Sequence, residues 1–496
     1  MEVEIEIYFL LVLYFIAMLG IGLYGYKKST GDLSQYMLGG RKLGPAVTAL
    51  SAGASVMSGW TLLSLPGTIY VSGLSGMWIA VALSIGAYLN YIFVAPRLRT
   101  YTEVANNSIT IPDYFENRFS DDTKILRFIS AIVIIIFFTV YTSSGMVAGG
   151  VLFESAFGFD YLTGLIITTS VVLVYTLFGG FLAVSMTDFV QGCIMVIALI
   201  LVPIVAFSEL GGISSTFNTI KDIDPTLTSF FQGTTVLGFL GLMAWGLGYF
   251  GQPHIIVRFM AIRNVKSLKT ARHIGITWTV IANTGAVLTG LTGLAYITTQ
   301  GEELKNPETI FIVFSHVLFH PLISGFLLAA VLAAIMSSIS SQLLVTSSAL
   351  TEDFYNTFLK RKASDKELVF VGRASVFLVA IVAIFLSLDS ENTILDLVSN
   401  AWAGFGSAFG PAIILSLYWK EMNRWGAIAG IFVGAITVIL WIYVFQLSAF
   451  LYEMIPGFIL SLLAIIVVSK MTGGADKITR EGYNAFEKVH EVESNK

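Results

Sequence analysis

Charge is scarce in this chain. Only 12% of its 496 residues are charged, and 55% are hydrophobic. Soluble domains carry roughly 25% charged residues. That shortage, with a mean hydropathy of +0.80, excludes an ordinary soluble fold and indicates a polytopic membrane protein. Cysteine is almost absent. The lone Cys193 excludes an internal disulfide framework and any cysteine-based metal cluster. There is no Walker A run, no HExxH and no GxSxG, so neither an ATPase nor a hydrolase is indicated and no enzyme activity is expected. The first residues, MEVEIEIY, lack the positive region of a cleaved signal peptide, so the first apolar segment is expected to remain as a helix. The net charge of −4 says nothing about partners, and no nucleic-acid partner is expected.

What is present is apolar length. Segments long enough to span occur near 6–26, 45–71, 76–96, 125–152, 161–179, 187–208, 233–253, 274–299, 321–348, 369–388, 393–418, 425–446 and 455–470. About 20 residues cross the hydrocarbon core. Thirteen spans put the termini on opposite sides. Twenty-six of the 28 Lys and Arg fall in one alternate set of connections, among them Arg41, Arg258, Lys360, Arg361, Lys362 and Lys496. The other set holds only Lys221 and Lys305. The positive-inside rule makes the larger set cytoplasmic. The N-terminus is then outside and the C-terminus inside. Residues 1–470 read as one transmembrane domain, and 471–496 as a polar cytoplasmic tail with a short amphipathic helix.

Two segments are built to break. The first is 44–60, GPAVTALSAGASVMSGW, whose middle, Ser51-Ala52-Gly53-Ala54-Ser55, is all small residues. A weakened helix at membrane depth is tolerated only where it is buried in protein or lines a cavity. Freed carbonyls there can hold a cation, and freed N–H groups a carboxylate. Close helix packing would use the same small residues. The second is 233–257, with glycines at 246, 248 and 251 and a proline at 253. Five spans separate the two starts, so the segments cross in opposite senses. Interrupted helices at matched places of inverted halves are the sequence signature of a secondary-transporter site.

Ala334, Ser337 and Ser338 stand at i, i+3 and i+4, on one helix face. With carbonyls of Ala54 and Met57 they would offer five hard oxygens, suited to an alkali cation. Membrane serines also bond back to their own helix. Trp245, Tyr249 and Pro253 follow at i, i+4 and i+8, and Tyr141 lies in the fourth span. Such aromatics could close over a small ring or simply pack. Asp188 is an ionisable residue at a membrane helix, a functional candidate that also suits the first turn of a helix dipole. Arg41, just before the second span, is a topology anchor or a gate.

At these residues the chain resembles the solute:sodium symporter family, and within it the bacterial sodium/proline symporter branch, over nearly its whole length. The runs that carry the resemblance are ALSAGAS-x-MSGW at 49–60, GGFLAVSMTDFVQG at 179–192, WGLGYFGQPHIIVRFM at 245–260 and LAAIMSSISSQLLVTSSALTEDFY at 332–355. The resemblance implies an all-α, LeuT-type fold with two inverted five-helix repeats, about 45–208 and 233–418. It implies a sodium site from Ala54, Met57, Ala334, Ser337 and Ser338. It puts L-proline near Ser58, Gly59, Tyr141, Trp245, Tyr249 and Pro253. It gives Asp188 a part in sodium exit and Arg41 a part in coupling. One position departs: the branch carries an aspartate between Ser55 and Met57, and here Val56 stands there.

The expected function is import of L-proline coupled to sodium entry, by a multi-pass protein of the bacterial cytoplasmic membrane. The alternatives are proton coupling or another small amino acid or betaine-like solute on the same fold, and a membrane sensor that binds solute without transport. The oligomeric state is not specified by any feature of the sequence.

Overall fold

The structure is a computed structural model that describes residues 4–28, 33–359, 363–388 and 393–494. Lys360, Arg361, Lys362 and Lys496, all in the basic set, lie outside the described residues. Among the described residues there is no strand, and an isolated parallel bridge pairs Leu43 with Ile262. Lipid offers no partner to a backbone N–H or carbonyl, so an apolar chain satisfies these groups within helices.

The elements that position the site are, in chain order, α1 Ile5–Lys28, α2 Pro45–Val56, α3 Ser64–Ser72, α4 Trp78–Leu89, α5 Ala95–Val104 and α6 Ile111–Arg118. They continue with α7 Ile125–Phe157, α8 Tyr161–Glu209, α9 Val236–Ala244, α10 Pro253–Ala261, α11 Ser267–Thr299 and α12 Pro321–Ser348. The last are α13 Asp365–Leu386, α14 Ile394–Tyr418, α15 Arg424–Ile439, α16 Met454–Met471 and α17 Lys477–Ser494. Each of the thirteen expected segments is helical over most of its length. By length and composition, ten helices of the described residues are able to cross a membrane.

Local chemistry sets many helix starts. Asp160, Thr235, Ser364, Thr393 and Asn423 each accept a backbone N–H from the first turn of the helix that follows. The expected boundary between 161–179 and 187–208 is different. No polar loop separates the two; α8 runs through, interrupted at Gly180, with φ 59° and ψ −161°. That conformation suits glycine alone, and an added Cβ would lie 2.7 Å from the Tyr36 ring.

α12 and α14 are the most enclosed long helices, each 83% buried over its apolar window. The second broken segment is wedged between α4 and α14 with almost no side chains intervening. A Cβ on Gly86 of α4 would stand 2.2 Å from the Gly246 carbonyl, and one on Gly251 would stand 2.3 Å from the Phe405 carbonyl of α14. The tail forms α17, which docks on α5. Phe486 stacks on Tyr101 at 4.0 Å with the rings 5° from parallel, and Glu487 pairs with Arg97.

Candidate functional site

The first break lies at Met57 and Ser58. Met57 has ψ 73°, Ser58 is extended with ψ −168°, and a short turn, Gly59–Leu62, follows before α3. The small-residue run 51–55 stays helical, contrary to the expectation that the helix weakens there. Its residues serve close packing: a Cβ on Gly53 would meet the Trp278 ring at 2.7 Å. Breaking one turn later leaves the last carbonyls of α2 without helical partners. α12 supplies partners from its serine face. The Ser337 hydroxyl lies 2.9 Å from the Ala54 carbonyl and 3.0 Å from that of Ala334. The Ser338 hydroxyl donates to the Ser55 carbonyl at 3.1 Å. All of these residues are buried. The result is a buried cluster of carbonyl and hydroxyl oxygens with no charged side chain among them.

The second break lies at Gln252. Residues 245–251 form a 3-10 turn, Gln252 is extended, and α10 begins at Pro253, which has no N–H to leave unpaired. The expected i, i+4 face of Trp245 and Tyr249 therefore does not exist, because a 3-10 turn rotates about 120° per residue. The two rings instead grip Trp402 of α14. Trp245 lies against it at 6.4 Å and Tyr249 meets it edge-on at 5.4 Å. Trp245 also packs on Trp60, 5.9 Å away, which follows the first break. Trp402 Nε1 donates to the Trp245 carbonyl at 2.8 Å, Gln252 Nε2 to the Trp402 carbonyl at 3.1 Å, and Asn90 Nδ2 to the Tyr249 carbonyl at 3.0 Å.

Several polar atoms at this second break have no hydrogen-bond partner among the described residues. They are Gln252 Oε1 and both ring nitrogens of His254. His254 meets Tyr141 edge-on at 5.9 Å. The Tyr141 hydroxyl faces Ser58 and Tyr249. A buried polar group left unpaired costs about 1–3 kcal/mol. A small solute carrying both donors and acceptors would satisfy these atoms.

The two breaks are tied by one buried ion pair. Asp188 Oδ2 accepts from Ser51 Oγ of α2 at 2.8 Å, from Arg258 Nη2 of α10 at 3.0 Å and from Ser341 Oγ of α12 at 3.3 Å. Arg258 also donates to Ser51, Ser341 and the His254 carbonyl. Asp188 stands two turns past Gly180 inside α8, so it is not in a first turn and the helix-dipole reading falls. Arg258, counted by charge as a marker of the cytoplasmic surface, is fully buried.

Arg41 clamps the entry to α2. Its guanidinium donates to the Met260 carbonyl at 2.8 Å, the Ser108 carbonyl at 2.6 Å and Thr102 Oγ1 at 3.1 Å. Burial, with Arg99 nearby, lowers its pKa to about 10, so it stays charged at neutral pH. Leu43 bonds to the backbone on both sides of Ile262, at 3.2 and 3.0 Å. At the far end of the same broken helix, Glu308 takes a 2.5 Å bond from Ser64 Oγ and faces the N–H groups of Ile394 and Leu395 at the start of α14.

A model of the sodium:solute symporter family matches residues 36–434. The chain belongs to the sodium:solute symporter family. It is 60% identical over 487 residues to the osmoregulated proline transporter OpuE of Bacillus subtilis, covering 98% of this chain and 99% of that one. It is 60% identical over 470 residues to the high-affinity proline transporter PutP of the same organism, covering 95% and 99%. A sodium/proline symporter of Staphylococcus aureus is 54% identical, over 94% and 93%. Among solved structures, a Na+-coupled sialic acid symporter in a substrate-bound outward-open state superposes with a TM-score of 0.82 at 20% identity, covering 95% of this chain and 99% of that one. A nucleobase-cation-symport-1 family transporter in a closed conformation gives 0.55 at 14% identity, covering 90% and 98%. These last two are likenesses of fold. Family membership makes the chain a symporter and not an enzyme.

Within this symporter, Ala54, Ala334, Ser337 and Ser338 converge, and Met57 sits at the break beside them. Ser58 and Gly59 start the turn after it, where a Cβ on Gly59 would meet Ala148 at 2.9 Å. Tyr141, Trp245, Tyr249 and Pro253 surround the second break. Val56 is buried, and its carbonyl accepts from Trp60 Nε1 at 3.1 Å. Sequence reasoning missed Ser55, Trp60, Gln252, His254, Arg258, Glu308, Ser341 and Trp402. Arg258 had a usable signal, since arginine inside the apolar run HIIVRFM is a functional candidate by default.

Proposed function

We propose that this symporter imports L-proline, driven by sodium entry, by alternating access across the bacterial cytoplasmic membrane. Its thirteen spans form one domain over residues 1–470, with the N-terminus outside and residues 471–496 as a cytoplasmic tail. The spans contain inverted repeats at about 45–208 and 233–418. Sodium is held by the carbonyls of Ala54, Met57 and Ala334 with the hydroxyls of Ser337 and Ser338. Proline sits between the breaks. Trp245 and Tyr249 cover its ring, and Ser58, Gly59, Tyr141 and Pro253 line the polar side. Asp188 assists the ion on its way in, and the Arg41 clamp opens the inner face.

The observation that carries this reading is the junction of α2 and α12. Two serine hydroxyls meet the carbonyls of one helix end, and the cluster holds no charge of its own. A monovalent cation suits hard neutral oxygens. The names of the 54–60% identical relatives supply proline and sodium as the pair to test. Replacing Ser337 and Ser338 together by alanine removes two hydroxyl ligands, each contributing about 0.5–1.5 kcal/mol. The sodium needed for half-maximal proline uptake in proteoliposomes should rise by about tenfold or more. Proline binding without sodium should stay put. Equal losses with and without sodium would refute the assignment.

A further inference from the structure

The serine face of α12 does not stop at the first break. Ser337, Ser341 and Ser348 stand at successive spacings of four and seven, so they line one side of the helix over roughly 16 Å at 1.5 Å per residue. Ser337 meets the end of α2, and Ser341 meets Asp188. Ser348 lines a small cavity of about 20 Å³, which is space for one water-sized sphere. Its walls include Pro253 and Val257 of α10, Thr110 before α6, and Asp353. Asp353 lies in the π-helical stretch Ala349–Leu359 that continues α12, a geometry frequent at functional sites.

Asp353 is fully buried. One oxygen accepts from Thr110 Oγ1 at 2.8 Å and lies 3.7 Å from Arg127 Nε. The other, Oδ2, has no hydrogen-bond partner among the described residues. Arg127 cannot neutralise it alone, because Asp113, Glu116 and Glu352 share the same guanidinium. Lys124 is the further cation acting on this group. Around Asp353 the carboxyl groups outnumber the cations, beside a cavity of ion size. The Ser348 hydroxyl already donates to the Leu344 carbonyl at 2.9 Å, which leaves its oxygen lone pairs to act as a ligand.

We propose that Asp353 Oδ2 and Ser348 Oγ form a second station for an alkali cation, on the inner side of the transport site. The station rests on the sodium-coupled reading above and deepens it. An ion leaving the first break follows the hydroxyls of α12 past Ser341 and pauses at Asp353 before reaching the cytoplasm. The acid excess holds it there against return.

The test uses the full-length protein in right-side-out proteoliposomes, with proline uptake measured against outer sodium and, separately, against sodium loaded inside. Internal sodium should inhibit the parent by refilling the station. In Asp353→Asn the internal sodium needed for half inhibition should rise about tenfold, and in Ser348→Ala about threefold. The outer half-saturating concentration should not move in either. If Asp353→Asn fails to fold, Ser348→Ala decides alone. Internal curves that overlay the parent's, or inner and outer curves that shift equally, overturn the station while leaving sodium coupling intact. A parent with no outer sodium dependence would instead refute the sodium-coupled reading, and the station with it.

Discussion

The two breaks differ in what they leave unsatisfied. At Met57–Ser58 the carbonyls of α2 have partners, because Ser337 and Ser338 reach across from α12. At the second break Gln252 Oε1 and both ring nitrogens of His254 have none among the described residues, and large rings crowd around them. The first break is small, buried and lined by oxygen. The second is aromatic, with donors and acceptors waiting for something larger. An oxygen cluster without nitrogen donors suits a cation, and a mixed set under an aromatic wall suits an organic zwitterion. On the reading proposed above, the ion sits at the first break and the solute between the two, where Trp60 packs on Trp245.

Cutting the tie between the breaks should have the largest effect. Arg258→Met leaves Asp188 buried without its cation. Breaking a buried pair from one side costs about 3–5 kcal/mol. Thermal unfolding in detergent should show a large loss of stability, and Arg258→Met combined with Asp188→Leu should recover part of it. A single variant as stable as the parent would mean that the pair does not hold the breaks together.

An intermediate effect should separate solute from ion. Trp245→Ala removes an aromatic wall and should weaken proline binding by about 1–3 kcal/mol, the scale of burying a large apolar side chain. The sodium dependence of whatever uptake remains should keep its midpoint. A sodium midpoint that moves as far as the proline affinity would erase the division between the breaks.

The smallest effect probes the neutral character of the first break. A carboxylate beside a monovalent cation in a partly desolvated site attracts it strongly before its own desolvation is counted. Val56→Asp should lower the sodium concentration for half-maximal uptake by about tenfold, equivalent to about 1.4 kcal/mol. A well-expressed variant whose sodium curve overlays the parent's would show that Val56 faces away from the ion.

Composition and local pattern determined a good deal. Scarce charge and apolar length specify helices because lipid forbids unpaired backbone. Glycine and proline marked the second break to within a turn, since Pro253 cannot extend a helix backwards. The serine spacing of α12 was legible because helical periodicity is local. The first break was read one turn early, in 51–55. Small residues permit a break, but here they are used to seat Trp278 against Gly53, a contact with a residue far along the chain. Partner identity was likewise beyond local pattern. Ser51 and Asp188 lie 137 residues apart, and Asp188 and Arg258 lie 70 apart. Arg258 counted as a surface charge until the fold turned it inward. Only the tertiary structure decided that pairing, because burying a charge is tolerable only when distant elements bring its counter-charge and hydrogen bonds to the same point.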